Sequence, residues 1–113
     1  MLSLDQELLD DMLREARTAL EFTDGLSEED FLRDRKTQYA VVRCLEIIGE
    51  AASRVSAEAR VALPSIPWSE VIAQRHIAIH HYGKLRMPRI WSTIREHVPA
   101  LVETLRPHME GTE

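Results

Sequence analysis

Apolar residues recur every three or four positions along most of the chain, which is the spacing of one face of an α-helix. The first run predicts a helix over residues 3–23 that ends at Gly25. A second run predicts a long helix over residues 35–62. No stretch shows the sustained alternation that is typical of a strand. The apolar positions of the two runs are Leu4, Leu8, Met12, Ala16, Ala19 and Leu20, and then Val41, Leu45, Ile48, Ala52 and Val55.

Turn-forming residues divide the rest of the chain into shorter helices. Ser27 precedes three acidic residues and predicts a short helix, because negative charge is favourable at a helix N-terminus. Pro67 suits the first turn of a fourth helix over residues 67–81, and Pro88 that of a fifth. Pro99 should kink or restart the fifth helix. Short links between amphipathic helices predict an all-α, up-and-down bundle of about five helices.

Length and composition narrow the class of protein further. With 113 residues the chain can bury one core, so we expect a single domain over residues 1–113 that gains stability by dimerising. No apolar run approaches the roughly 20 residues of a membrane span, and the first residues are acidic where a signal peptide needs positive charge. Cys44 has apolar neighbours and is expected to be a buried, structural thiol. We expect a cytoplasmic protein without a membrane partner.

The charges are unevenly distributed along this acidic chain. Residues 71–95 contain five basic residues and no acidic one, whereas residues 1–70 contain 8 basic against 15 acidic residues. Residues 96–113 contain one basic and four acidic residues. One cationic segment in a protein of net charge −5 indicates a local anion site rather than a general affinity for nucleic acid.

The cationic segment contains Arg75, His76, His80, His81 and Tyr82 within eight residues. A guanidinium can hold a phosphate through two charge-assisted hydrogen bonds, and an imidazole can transfer a proton near neutral pH. Because the 2′-hydroxyl of RNA is an internal nucleophile, such a set could cleave RNA without a metal. On an ideal helix Arg75 and His80 lie about 140° apart. Their convergence would therefore need the reach of the arginine, the nearby helix end or a second chain.

Other interpretations of the same residues remain open. Arg75 could form an ion pair, with Glu50 as a candidate partner, and the histidines could simply lie at an interface. His76 and His80 resemble half of a zinc site, but the glutamate that follows the first histidine of a zinc-protease helix is missing. We therefore predict no metal site and no cofactor. The two tryptophans are more typical of core anchors than of base-stacking platforms.

The order Arg75-x4-His80-x-Tyr82 resembles the signature of the HepT-like toxin branch of the HEPN superfamily. The similarity extends to the long helix at residues 38–52, to the entry of the fourth helix at residues 66–72 and to residues 90–94. It covers roughly residues 4–106. The resemblance implies a helical homodimer that brings two Arg-x4-His motifs into one cleft.

Activity and partners are also implied by this resemblance. Members of the branch are metal-independent endoribonucleases, commonly the toxin of a toxin–antitoxin pair. Arg75 would hold the scissile phosphate, His80 would be the general acid and base, and His76 would be the supporting polar residue after the arginine. His81 is not a motif position, and the register of the tyrosine favours His80 as the residue that faces the phosphate. Tyr82 matches the tyrosine that a minimal nucleotidyltransferase antitoxin modifies with AMP.

The chain departs from the family pattern in its basic residues after the tyrosine. Lys84, Arg86 and Arg89 stand where an acidic residue is expected, and we predict that they contact RNA. The prediction is a ribonuclease toxin silenced by AMP transfer to Tyr82. The alternatives are a non-catalytic nucleotide- or partner-binding HEPN module and a dimeric helical adaptor. A neighbouring gene for a minimal nucleotidyltransferase would favour the toxin.

Overall fold

The computed structural model describes residues 3–76 and 86–109, and all regular elements in these residues are helical. A 3-10 turn, Gln74–His76, continues the helix Trp68–Ala73, and a π-helical turn, Thr93–His97, joins the helix Met87–Ser92 to the helix Val98–Leu105. The predicted all-α class is confirmed for this part of the chain. The helices are α1 (Ser3–Phe22), α2 (Glu28–Leu32), α3 (Arg35–Arg54), α4 (Ala57–Ala62), α5 (Trp68–Ala73), α6 (Met87–Ser92) and α7 (Val98–Leu105).

The core forms where α3 and α7 each pack against α1. Each of these helices buries the apolar face that its three-to-four spacing predicts, including Met12, Leu45 and Leu101. Cys44 is buried in α3 as expected, and burial raises the pKa of its thiol to about 12. The thiol is therefore protonated and unreactive at neutral pH. Within the described ranges, no helix combines the length and the apolar character needed to cross a bilayer.

The junction between α3 and α4 corrects the prediction of one continuous helix over residues 35–62. Val55 is extended, and the Ser56 hydroxyl accepts a hydrogen bond from the Ala59 amide at 3.1 Å, which starts α4. The buried carboxylate of Asp5 accepts hydrogen bonds from the Ser56 amide at 2.9 Å and the Ser56 hydroxyl at 2.7 Å. The prediction of a continuous helix was wrong because the contact with α1 and the Ser56 cap stabilise a break between α3 and α4.

We predict that Asp5→Asn destabilises the protein at neutral pH and not in acid. The two hydrogen bonds from Ser56 lower the pKa of Asp5 below its ordinary value of about 3.9, and the bond from the backbone amide has the larger effect. A lowered pKa contributes stability above the ordinary value, and this contribution is lost as the pH falls through the folded-state pKa. The thermal midpoints of the wild-type protein and Asp5→Asn, measured between pH 7 and pH 2, should differ at neutral pH, and this gap should close below about pH 4. A gap that is independent of pH would contradict the role given to the charge.

The fourth predicted helix is not α-helical throughout its described part. Its α-helical part ends at Ala73, and the backbone tightens into the 3-10 turn that includes Arg75. Helix ends commonly tighten in this way, because three-residue spacing satisfies carbonyls that have no partner further along the helix. The remainder of the predicted helix, residues 77–81, and its expected end at Gly83 lie outside the described residues.

The last helical segment follows its prolines as predicted. Pro88 lies in the first turn of α6. Pro99 has no N–H for the Arg95 carbonyl, and the π-helical turn absorbs this loss while the helix continues to Leu105. Arg95 lies in this turn, and its guanidinium donates a hydrogen bond at 2.7 Å to the carbonyl of Thr23, the residue that follows α1.

Both tryptophans anchor helices, as the sequence predicted. The ring of Trp91 packs against Phe31, with 5.2 Å between the ring centroids, and the Arg95 guanidinium lies 4.4 Å from the Trp91 centroid. The indole of Trp68 donates a hydrogen bond to the Leu63 carbonyl at 3.1 Å. Both side chains are half-buried and pack against the core.

Candidate active site

Arg75 lies in the 3-10 turn after α5, and this turn packs directly on Gly49 of α3. A Cβ atom at residue 49 would be 2.6 Å from the Arg75 amide nitrogen and 3.0 Å from the Val71 carbonyl oxygen. Side-chain carbons do not approach backbone atoms this closely, so only glycine allows the two segments to touch. This close approach fixes the backbone of Arg75.

The side chain of Arg75 reaches along α3 to Glu50. Its Nη1 lies 3.7 Å from Glu50 Oε1, and the two side chains are 38% and 62% exposed. The ion pair with Glu50, which the sequence left open as an alternative, is therefore present, and it lies at the surface. An exposed ion pair of this length contributes at most about 1 kcal/mol. An anion with better geometry can therefore displace Glu50 from the guanidinium.

Of the other candidate site residues in this segment, the structure describes only His76. His76 is exposed in the same turn as Arg75. His80, His81, Tyr82 and Lys84 lie outside the described residues. The convergence of Arg75 and His80 therefore stays a prediction. The separation of about 140° holds for an ideal α-helix, whereas Arg75 itself lies in a 3-10 turn.

Arg86 and Arg89 line a groove of about 550 Å³ between α5 and α6. Gln74, which precedes Arg75, lies on the facing wall. Arg86 is half-buried and Arg89 is exposed, so both guanidinium groups can meet a ligand from solvent. The groove places two of the three predicted RNA-binding residues on the same side of the molecule as Gln74. Their contact with RNA stays a prediction.

Sequence reasoning missed two residues of this groove, Gln74 and His97. His97 belongs to the π-helical turn and reaches the groove only because that turn interrupts α6 and α7. Pro99 was the available signal, since a proline inside a helix requires a local rearrangement. Gln74 adjoins the motif but carries no ionisable group, so the sequence alone offered no chemical reason to select it.

The described parts of the chain contain no group of three histidine, cysteine or acidic residues close enough together to hold a metal ion. Thr93 and Arg89 both line the groove, and the Thr93 hydroxyl donates a hydrogen bond to the Arg89 carbonyl at 3.1 Å. The groove is lined by two guanidinium groups and one carboxylate, that of Glu70, together with the side chains of Gln74, Thr93 and His97. Positive charge is therefore in excess and suits an anion such as a phosphate.

Comparison with known proteins places the chain in a family. The Ribonuclease HepT-like family matches residues 12–107. A protein of Thermococcus cleftensis named as a probable ribonuclease HepT is 38% identical over 96 residues, which are 85% of this chain and 87% of that protein. Proteins named as RNases in Methanocaldococcus jannaschii and Caldanaerobacter subterraneus are each 36% identical. They cover 80% and 87% of this chain, and 84% and 88% of their own lengths.

No solved structure matches the chain. The family assignment rests on the sequence match, which includes α3 with Gly49 and Glu50, the turn with Arg75, and the groove residues. The resemblance seen in the motif therefore extends over most of the protein, and the chain belongs to the HepT-like ribonuclease family.

Proposed function

We propose that the protein is a metal-independent endoribonuclease and the cytoplasmic toxin of a toxin–antitoxin system. The observation that carries this proposal is the setting of Arg75. Its backbone is held against Gly49, while its guanidinium has only a long, exposed ion pair with Glu50. An arginine whose backbone is held in place and whose guanidinium forms only a weak ion pair is suited to bind a phosphate. The names of the relatives as ribonucleases support RNA as the substrate.

Cleavage needs a charge clamp and proton transfer. The 2′-oxygen of the ribose attacks the adjacent phosphorus as a base removes its proton, and the 5′-oxygen leaves as an acid protonates it. The products are a 2′,3′-cyclic phosphate and a free 5′-hydroxyl. Arg75 opposes the charge that develops on the phosphate oxygens, and His80 takes and gives the proton. His76 supports the arginine, and His81 lies beside the acid–base residue.

A homodimer completes the proposed site. One chain supplies one Arg75 and one His80, and a two-fold axis near the turn after α5 would bring the second pair into the same cleft. Two imidazoles could then serve as base and acid in one turnover. The dimer also increases the number of guanidinium groups at the scissile phosphate.

Tyr82 is the proposed site of control by a partner antitoxin. A minimal nucleotidyltransferase would transfer AMP from ATP to the tyrosine hydroxyl and release pyrophosphate. The new phosphodiester would place a negative charge seven residues from Arg75 in sequence, where it would compete with RNA for the guanidinium. Silencing would therefore block the site and leave the fold intact.

The proposed function predicts that a defined RNA is cut at the same rate in excess EDTA and in magnesium. Placing a 2′-deoxynucleotide on the 5′ side of the cut should reduce cleavage at that position to background, because the nucleophile is gone. Gel separation and mass analysis of the fragments should show the cyclic phosphate.

A binding module would retain the RNA in a gel-shift assay and leave it uncut. That outcome would overturn the proposed activity. Cleavage that EDTA abolishes, or cleavage that persists with the 2′-deoxynucleotide, would overturn the metal-free mechanism.

A further inference from the structure

A cavity of about 280 Å³ adjoins the groove between α5 and α6. Its inner wall is apolar and includes Leu45, Ile48 and Leu101. Gln74 and His97 line both the cavity and the groove, so the two spaces meet at these residues. The combined site has a cationic mouth at Arg86 and Arg89 and an apolar interior.

A buried polar atom without a partner lies at this junction. Gln74 Oε1 is inaccessible to solvent and accepts no hydrogen bond. A buried acceptor in this state costs about 1–3 kcal/mol, and buried polar groups are nearly always satisfied in folded proteins. Other atoms of the Gln74 side chain line the cavity, so a rotation of the amide group would turn this oxygen toward a molecule that enters and give it a hydrogen-bond donor.

We propose that this site binds one nucleotide of the RNA substrate and that Gln74 reads its base. The base lies in the apolar cavity and donates an N–H to Gln74 Oε1, and its phosphate lies at Arg86 and Arg89. This inference rests on the proposed ribonuclease function. Because Gln74 immediately precedes Arg75, the base belongs to a nucleotide near the scissile phosphate.

The chemistry of the site favours a nucleotide over other small ligands. Every RNA base has flat apolar faces and at least one N–H on its edge, and each nucleotide carries a phosphate. A hydrocarbon would fill the cavity but leave Gln74 and the two arginines unused. Glu70 also lines the groove, so the two guanidinium groups exceed the carboxylate by one positive charge, which suits a single phosphate. The volumes are comparable with the roughly 300–1,000 Å³ of small-ligand sites.

Titration calorimetry with 5′-AMP, CMP, GMP and UMP, and with ribose 5-phosphate as the ligand without a base, tests this proposal. At least one nucleotide should bind 10-fold or more tightly than ribose 5-phosphate. If no nucleotide binds more tightly than ribose 5-phosphate to the wild-type protein, the base pocket does not exist. This arm needs no variant.

Gln74→Leu tests the residue itself. The substitution should remove the preference for the nucleotide, a 10-fold loss or about 1.4 kcal/mol, and leave ribose 5-phosphate binding unchanged. The free protein should keep its thermal midpoint or gain a few degrees, because a buried acceptor without a partner has been removed. A preference that survives in Gln74→Leu would overturn the role given to this side chain.

Gln38→Leu is the matched control. Gln38 is buried, and its amide has a partner because it donates a hydrogen bond to the Phe31 carbonyl at 2.8 Å. This variant should lower the thermal midpoint and leave nucleotide binding unchanged. Binding needs no cleavage, so the two proposals fail separately. An active ribonuclease without a base preference overturns only the pocket, and an inactive protein with the preference overturns only the ribonuclease function.

Discussion

Replacing Arg75 with alanine is expected to slow RNA cleavage by at least about 10²-fold, the usual scale for removing a positioned charge that stabilises a transition state. The variant should remain folded, since the arginine side chain is 38% exposed and forms only a 3.7 Å ion pair with Glu50. Loss of such a pair changes the free energy of unfolding by at most about 1 kcal/mol. Single-turnover cleavage and thermal unfolding, measured on the same preparation, separate the two effects.

Arg33→Ala is the matched control for this substitution. Arg33 is 76% exposed and pairs with Glu29 at 2.8 Å on α2, outside the candidate site. Its removal deletes the same charge and a shorter ion pair, and cleavage should stay within about twofold of wild type, since surface substitutions of this kind change little. An Arg75→Ala protein that cleaves as fast as Arg33→Ala would show that the guanidinium has no part in the reaction.

Gly49→Ala is expected to lower both stability and activity. The new Cβ would lie 2.6 Å from the Arg75 amide nitrogen, so α5 and its turn must move away from α3. Overpacking of this kind typically costs about 1–3 kcal/mol. Arg75 would move with the turn, and a displacement of about 1 Å can reduce a catalytic rate by about 10²-fold. Chemical denaturation and single-turnover cleavage measure the two losses.

Gly25→Ala provides the comparison. Gly25 has a φ of +79° and open space around its Cβ position. Alanine there costs about 1–2 kcal/mol of backbone strain, a loss similar to that expected for Gly49→Ala, but far from Arg75 in the sequence. Cleavage by the folded fraction should be normal. Equal rate losses in the two variants would mean that Gly49 acts only through stability.

The helical faces could be predicted from the sequence because their pattern is local. Met12 in α1 and Leu45 in α3 belong to runs with three-to-four spacing, and both are buried in the core. Pro88 and Ser27 mark helix starts for reasons that involve only neighbouring residues. Gly49 was also informative, because a glycine in a long buried face leaves room for another backbone.

The remaining features depend on residues far apart in the chain. Ser56 begins a helix with the help of Asp5, 51 positions earlier, and no local pattern contains that contact. The groove joins Gln74 to Arg86 and His97, which come from different helical segments. The pairing of Arg75 with Glu50 could be anticipated from charge and chemistry. The convergence of Arg75 with His80 depends on geometry beyond residue 76 and stays a prediction.

The central claim is that Arg75 and His80 act on the same phosphate. Its most direct test is the cleavage rate of the double variant Arg75→Ala/His80→Ala beside the two single variants. When two groups act together in one step, removing either one already removes most of their joint effect. The double variant should therefore be no more than a few-fold slower than the slower single variant. Independent losses that multiply, or a single variant that retains the wild-type rate, would contradict the claim.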